Sequence, residues 1–325
     1  MKVCVYGAGA IGGLIAARLS AADATVSVIA RGQTLLALQQ NGVGLTEEGE
    51  TRFYPVSAVS HANELDVQDL IIIAVKQPAV SAIIKNIEPL IGEQTRVLLA
   101  MNGVPWWFFD GLPKVTSDPI LTTVDPQGDL RDHLPSHQVI GCVVHLAAAS
   151  TSPGVIKLST GNHLIIGEPS GEPSAPTLQI GELLKKSGFS VDISATIQRN
   201  IWFKLLGNMT INPISALTRA TADRILDDPL LNQFCCKAMT EALAIGHEIG
   251  CPIDQTPEER NAQTQTLGAF KTSMLQDVEA GKPLEYVALV GVVYEIAEKL
   301  GKEVPYTAAL YGLIRQLDKS LQANQ

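Results

Sequence analysis

At 325 residues the chain is long enough for two domains, each with a core of its own. Its net charge of -9 and pI near 5.2 argue against nucleic acid or an acidic membrane surface as partner. Five cysteines (Cys4, Cys142, Cys235, Cys236, Cys251) form no C-x-x-C pair, no apolar run reaches the ~20 residues that span a bilayer, and no leader precedes the first strand. The expectation is a cytoplasmic protein with reduced thiols.

An apolar strand from Lys2 to Tyr6 runs into Gly7-Ala8-Gly9-Ala10-Ile11-Gly12, and Leu14 to Leu19 continue as a helix. This is the G-x-G-x-x-G spacing in its required strand–turn–helix context. Gly7 permits the tight turn, Gly9 lets a pyrophosphate approach the backbone, and Gly12 lets helix and sheet pack closely. The phosphates then meet the free N–H groups of a helix N-terminus. The alternative is a purely structural glycine turn. A second strand, Ala24 to Ile29, ends on Ala30-Arg31 rather than on the acid that accepts from an NAD ribose. Arg31 suits a 2′-phosphate instead, so the expected cofactor is NADP(H) rather than NAD(H); the competing reading is a solvated arginine.

Near-continuous apolar strands at 69–76 and 96–101, with helix-like 80–90 between them, read as a parallel sheet covered on both faces. Further strands are expected at 139–147, 154–159 and 163–166, with an antiparallel extension there, then a helix at 180–186 and a strand at 189–193. From Gln198 onward only helical periodicity remains. The expected fold is therefore α/β: a Rossmann-type NADP-binding domain over 1–195 followed by an all-α substrate domain over 196–325, with function in the cleft that such enzymes place between two domains.

The helical half carries a polar stripe on an apolar helix. Lys204, Asn208 and Asn212 are spaced four apart among Ile201, Trp202, Leu205, Leu206, Met209 and Ile211, so they share one face. One explanation is a structural network, with Asn212 serving backbone freed by Pro213. The other is a polar ligand, with Lys204 stabilising and protonating the oxygen of a ketone as hydride reaches its carbon. A half-buried lysine is expected to have a lowered pKa, which helps it as an acid. Further on, Gly281 and Pro283 separate two helices and put Glu285 in the first turn of the second, where capping alone accounts for an acid. Ser273 before a helix-like run reads as structural.

Taken together, the glycine turn, Arg31, Val75-Lys76, Asn102-Gly103, Lys204-x-x-x-Asn208-x-x-x-Asn212-Pro213, and Ser273-Met274-Leu275-Gln276-Asp277 followed by Glu285 resemble the ketopantoate reductase (2-dehydropantoate 2-reductase) family along nearly the whole chain. The resemblance implies NADPH-dependent reduction of 2-dehydropantoate to pantoate, on the route to pantothenate and coenzyme A. It implies Lys204 as the catalytic acid and Glu285 as the group holding the substrate hydroxyl. Asn102, Asn208, Asn212 and Ser273 become substrate contacts, with Asn102 also at the nicotinamide. Lys76 joins Arg31 near the adenosine phosphate, and Gly7 to Gly12 hold the pyrophosphate.

Departures from the family pattern are the aromatic run Trp106-Trp107-Phe108-Phe109 and the 117–136 segment. The run reads as packing in preference to an apolar wall over the nicotinamide. That second option keeps a reductase of another 2-oxo acid open, and a non-catalytic NADP(H) sensor is the reading that Lys204 disfavours. No metal site is expected. The apolar faces of 287–300 serve either the core or a homodimer interface.

Overall fold

The computed structural model describes residues 1–113, 116 and 118–323; Ser117 of the 117–136 segment and Asn324 and Gln325 of the tail lie outside the described residues. The chain divides into two compact units. One comprises 1–101 and 129–197, the other 102–128 and 198–325.

The first unit contains β1 (Lys2–Tyr6), α1 (Ala10–Ala21), β2 (Thr25–Ile29), α2 (Gly32–Asn41), β3 (Val43–Glu47), β4 (Glu50–Tyr54), β5 (Ser57–Val59), β6 (Leu70–Ile73), α3 (Val80–Ile84), β7 (Arg96–Ala100), α4 (Asp129–His133), β8 (Val139–Ser152), β9 (Val155–Gly167), α5 (Ala175–Lys186) and β10 (Ser190–Ile193). Its sheet has the order β4-β3-β9-β8-β7-β6-β1-β2-β5, with β10 beside β9. Every pairing from β5 through β2, β1, β6 and β7 to β8 is parallel, and β8 meets β9 antiparallel. Strand order therefore reverses at β1 and β6, the switch point where open α/β sheets bind ligands at strand carboxyl ends. The apolar strands explain the layering: Val3, Val5, Leu70, Ile72 and Leu98 are buried together with Leu14, Ile15 and Leu19 of α1, each such side chain contributing about 1.5–3 kcal/mol.

Several elements depart from the sequence expectation for local reasons. The 80–90 helix is a short α3 followed by a 3₁₀ stretch, Lys85–Leu90, that contains Pro89. The two strands expected at 154–159 and 163–166 are one, β9, bent at Gly161 (φ +74°) opposite a register shift after His145. The β3–β4 hairpin has no counterpart in the apolar pattern because Glu50 to Phe53 of β4 are exposed. Its turn places Glu48 and Gly49 at φ 52° and 89°.

The second unit contains α6 (Ile197–Thr218), α7 (Ala222–Asp227), α8 (Pro229–Glu248), α9 (Pro257–Gln265), α10 (Ser273–Glu279), α11 (Val292–Lys299) and α12 (Pro305–Ala323). Although it follows β7 in sequence, the 102–128 segment belongs here. Glu295 of α11 is only 8% exposed and accepts from Thr122 N, Thr122 Oγ1 and Thr123 N at 2.8, 2.9 and 2.8 Å. Lys299, one turn on, pairs with Asp118 at 2.6 Å. The aromatic run is packing: Trp106, Trp107, Phe108 and Phe109 are all buried, and the Phe108 ring lies 5.7 Å from Trp202 of α6. Val292, Val293, Ile296 and Ala297 are likewise buried within the chain. No described helix is long and apolar enough to cross a membrane.

Candidate active site

The residues singled out by sequence fall into two groups, one in each unit. In the first unit they stand at carboxyl ends of neighbouring parallel strands: Gly7 to Gly12 after β1, Arg31 after β2, Lys76 after β6. Gly7 has φ +101°, and a Cβ there would stand 2.6 Å from Val75 Cγ1, so the turn requires glycine. A Cβ on Gly12 would be driven into the Gly7 carbonyl oxygen and come within 3.0 Å of Ala74 Cβ. Gly9 differs, because a Cβ there meets nothing within 4 Å. Close packing therefore explains Gly7 and Gly12 and leaves Gly9, with Ala8, Ala10 and Ile11 around it, beside open space.

The helix termini here have the character an anion needs. Gly9 caps α1 and Arg31 caps α2, neither through a side-chain hydrogen bond, and neither first turn holds an acid. By contrast Ser174, Asp228, Thr256 and Thr272 close the N-termini of α5, α8, α9 and α10 with their side-chain oxygens. Uncapped N–H groups carry the positive end of the helix dipole. Arg31 is exposed, and its charge acts on the Tyr6 phenol, whose pKa is raised chiefly by burial and partly offset by Arg31. Lys76 is half-buried at the N-cap of a 3₁₀ turn, Gln77–Ala79. These residues are chemically suited to an anionic cofactor.

In the second unit α6 places Lys204, Asn208 and Asn212 in one row, as the spacing requires. The Lys204 Nζ donates to Asn102 Oδ1 at 2.8 Å, a contact between residues 102 apart in sequence. Asn102 is held by its neighbour: Gly103 has φ +90°, and a Cβ there would lie 2.6 Å from the Ala288 carbonyl oxygen. That oxygen accepts from Val104 N at 3.0 Å. Ala288 belongs to a π-helical turn, Val287–Gly291, at the start of the helix that continues as α11. Such widened turns are enriched at functional sites.

Glu285 is not in the first turn of that helix, as expected from Pro283, but just ahead of it, since the helical residues begin at Tyr286. Without a proline-started first turn, the chain is set instead by Gly281 at φ +62° and by Asp318 of α12, whose Oδ1 accepts from Leu284 N at 3.2 Å. Asn212 is 8% exposed, and neither its side-chain amide nor that of Asn208 is hydrogen-bonded to another described residue. A network serving the backbone at Pro213 is therefore not formed by Asn212. Ser273 opens α10 and is exposed; the capping belongs to Thr272, whose Oγ1 accepts from Leu275 N at 3.1 Å.

Arg260 carried no sequence signal, yet it packs on this helix. Its guanidinium lies 4.4 Å from the Phe203 ring centroid, on the residue preceding Lys204. An arginine in the polar stretch of α9 looks like any solvated charge until the fold is known.

Comparison with known proteins agrees along the whole length. The family described as ketopantoate reductase PanE/ApbA matches residues 3–171, and its C-terminal counterpart matches residues 196–318. A 2-dehydropantoate 2-reductase from Mesorhizobium japonicum is 39% identical, covering 98% of each chain. A crystal structure of a candidate ketopantoate reductase from Ralstonia solanacearum MolK2 is 49% identical over 98% of each chain, with a TM-score of 0.94. The fold also recurs in D-mandelate dehydrogenase, solved with NADH and anilino(oxo)acetate, at 19% identity, TM-score 0.86 and coverage of 99% and 100%.

Proposed function

The chain belongs to the ketopantoate reductase PanE/ApbA family of oxidoreductases, and on that premise we propose that it reduces 2-dehydropantoate to pantoate with NADPH. The observation that carries this reading is the Lys204–Asn102 hydrogen bond of 2.8 Å. It supports a lysine whose ammonium is oriented rather than solvated, as a positioned acid requires.

In this reading the backbone around Gly9 and the α1 N-terminus hold the pyrophosphate, while Arg31 and Lys76 hold the 2′-phosphate. When bound, NADPH supplies the hydride. Lys204 donates a hydrogen bond to the ketone oxygen, stabilises the charge that grows there and hands over its proton. Asn102 accepts from the same ammonium and fixes its direction. Asn208 and Asn212 offer amides that have no partner among the described residues, and a polar substrate satisfies both. Glu285 accepts from the substrate's terminal hydroxyl, and Ser273 supplies a further hydroxyl. The protein works in the cytoplasm, alone or as a homodimer.

The test is NADPH oxidation by the purified protein across a panel of 2-oxo acids that includes 2-dehydropantoate. Highest kcat/KM for 2-dehydropantoate is expected. Preference for another 2-oxo acid makes the chain a paralogous reductase, and absence of turnover with every acid refutes the reading.

A further inference from the structure

Arg260 is a half-buried cation with no carboxylate partner among the described residues. Its Nε is buried without a hydrogen-bond partner among the described residues. Its Nη1 donates to the neutral Gln263 Oε1 at a long 3.4 Å. Burial alone depresses its pKa, with no neighbouring carboxylate raising it. Arg199, Lys271 and Lys302 of the same unit do have carboxylate partners, Asp254 at 3.0 Å, Glu279 at 2.7 Å and Glu248 at 2.5 Å. Arginine stays charged in proteins, and an unpaired charge away from water is costly, so such a group is retained where a ligand completes it.

Its place is specific. The guanidinium stacks on Phe203 and fills the gap left by Gly207, where a Cβ would lie 3.3 Å from Nη2 and 3.5 Å from Nε. Phe203 and Gly207 form a row of α6 about 100° around the helix from Lys204 and Asn208, and all four residues are partly exposed. A 2-oxo acid carries its carboxylate on the atom adjacent to the ketone carbon. A cation for that carboxylate therefore has to stand next to the acid that serves the ketone oxygen. The planar fork of arginine is suited to gripping a carboxylate with two parallel hydrogen bonds.

We propose that Arg260 binds the carboxylate of the 2-oxo acid substrate and sets the preference of this enzyme for acids over neutral ketones. This rests on the reading of Lys204 as the acid for a 2-oxo substrate. Lys204 acts on the ketone oxygen, Arg260 on the carboxylate, and Gly207 is small so that the guanidinium reaches the helix.

The experiment compares the full-length wild type with Arg260→Gln, Arg260→Lys and Gly207→Ala, each saturated with NADPH. The substrates are the 2-oxo acid the wild type uses best and the methyl ester of that acid. Arg260→Gln is expected to raise KM for the acid on the order of 100-fold with kcat changed only a few-fold, and to leave the ester unaffected. Arg260→Lys retains charge without the fork and loses about tenfold. Gly207→Ala favours the helix and crowds the guanidinium, so it keeps the question open to measurement if Arg260→Gln does not fold; a several-fold rise in KM for the acid alone is expected. An acid-to-ester ratio equal to wild type in Arg260→Lys and Gly207→Ala overturns the proposal and leaves Arg260 as packing for Phe203. A wild type that turns over no 2-oxo acid removes the functional reading itself, and the proposal with it.

Discussion

Substituting alanine at Gly9 and at Gly12 separates ligand approach from packing within one turn of chain. At Gly12 the added methyl collides with the Gly7 carbonyl and sits 3.0 Å from Ala74 Cβ. Both neighbours are backbone or short side chains that cannot swing away, so the cost is that of overpacking, about 1–3 kcal/mol. At roughly 2–4 °C per kcal/mol for larger domains, Tm falls by on the order of 5 °C. At Gly9 the methyl enters open space, and the backbone φ of -76° is one alanine adopts freely. The poorer N-cap and the lower entropy of the unfolded chain oppose each other, so the net stability change there stays under about 1 kcal/mol. A bound pyrophosphate, however, is pushed off the helix N-terminus and loses at least one charge-assisted hydrogen bond, about 1.5–3 kcal/mol or roughly 10- to 150-fold in Kd. Differential scanning fluorimetry of the protein without NADPH, with fluorescence titration of NADPH, reads both quantities. Unchanged NADPH affinity in Gly9→Ala refutes phosphate approach at that position. A Tm loss in Gly9→Ala equal to that of Gly12→Ala refutes the assignment of packing to Gly12 alone.

Lys204→Ala should lower kcat by about 10²- to 10⁴-fold while the NADPH Kd measured by titration stays near wild type; retained turnover removes Lys204 as the acid. Arg31→Ala should weaken NADPH by about 10- to 150-fold and NADH hardly at all, and equal losses refute a 2′-phosphate contact. Glu285→Ala should raise KM for the substrate or lower kcat with cofactor affinity intact, whereas a change confined to Tm returns Glu285 to a structural role. Burial pushes the Cys4, Cys235 and Cys251 thiols up to about 12. They stay protonated at pH 8, and mass spectrometry after a thiol reagent should find them unlabelled until guanidinium unfolds the chain. Since unfolded thiols ionise near 9 and these do not until about 12, folding stability should also fall as pH rises through that window.

The elements legible in the sequence are those whose physics is local. Leu70 to Ile73 announce a doubly covered strand by apolarity alone, and the Gly7–Gly12 spacing announces a turn because backbone geometry there tolerates little else. Lys204, Asn208 and Asn212 share a face by helical period. The β3–β4 hairpin was invisible because Glu50 to Phe53 bury nothing on that edge, and β9 read as two strands because a single left-handed glycine interrupts its pattern.

Tertiary structure decided what lies far apart in the chain. The sequence marked Asn102 and Lys204 separately, but only folding puts Asn102 Oδ1 at hydrogen-bond distance from the Lys204 ammonium, with the 102–128 segment fastened to Glu295 of α11. It likewise moved Glu285 from helix turn to helix approach. Arg260 is the extreme case. Nothing in its own neighbourhood of sequence distinguishes it from a solvated charge, because whether a cation is paired depends on which groups other elements bring to it. Covalent neighbours and period determine the turn and the helix face; the partners of each polar group are determined by packing between segments that the chain keeps a hundred residues apart.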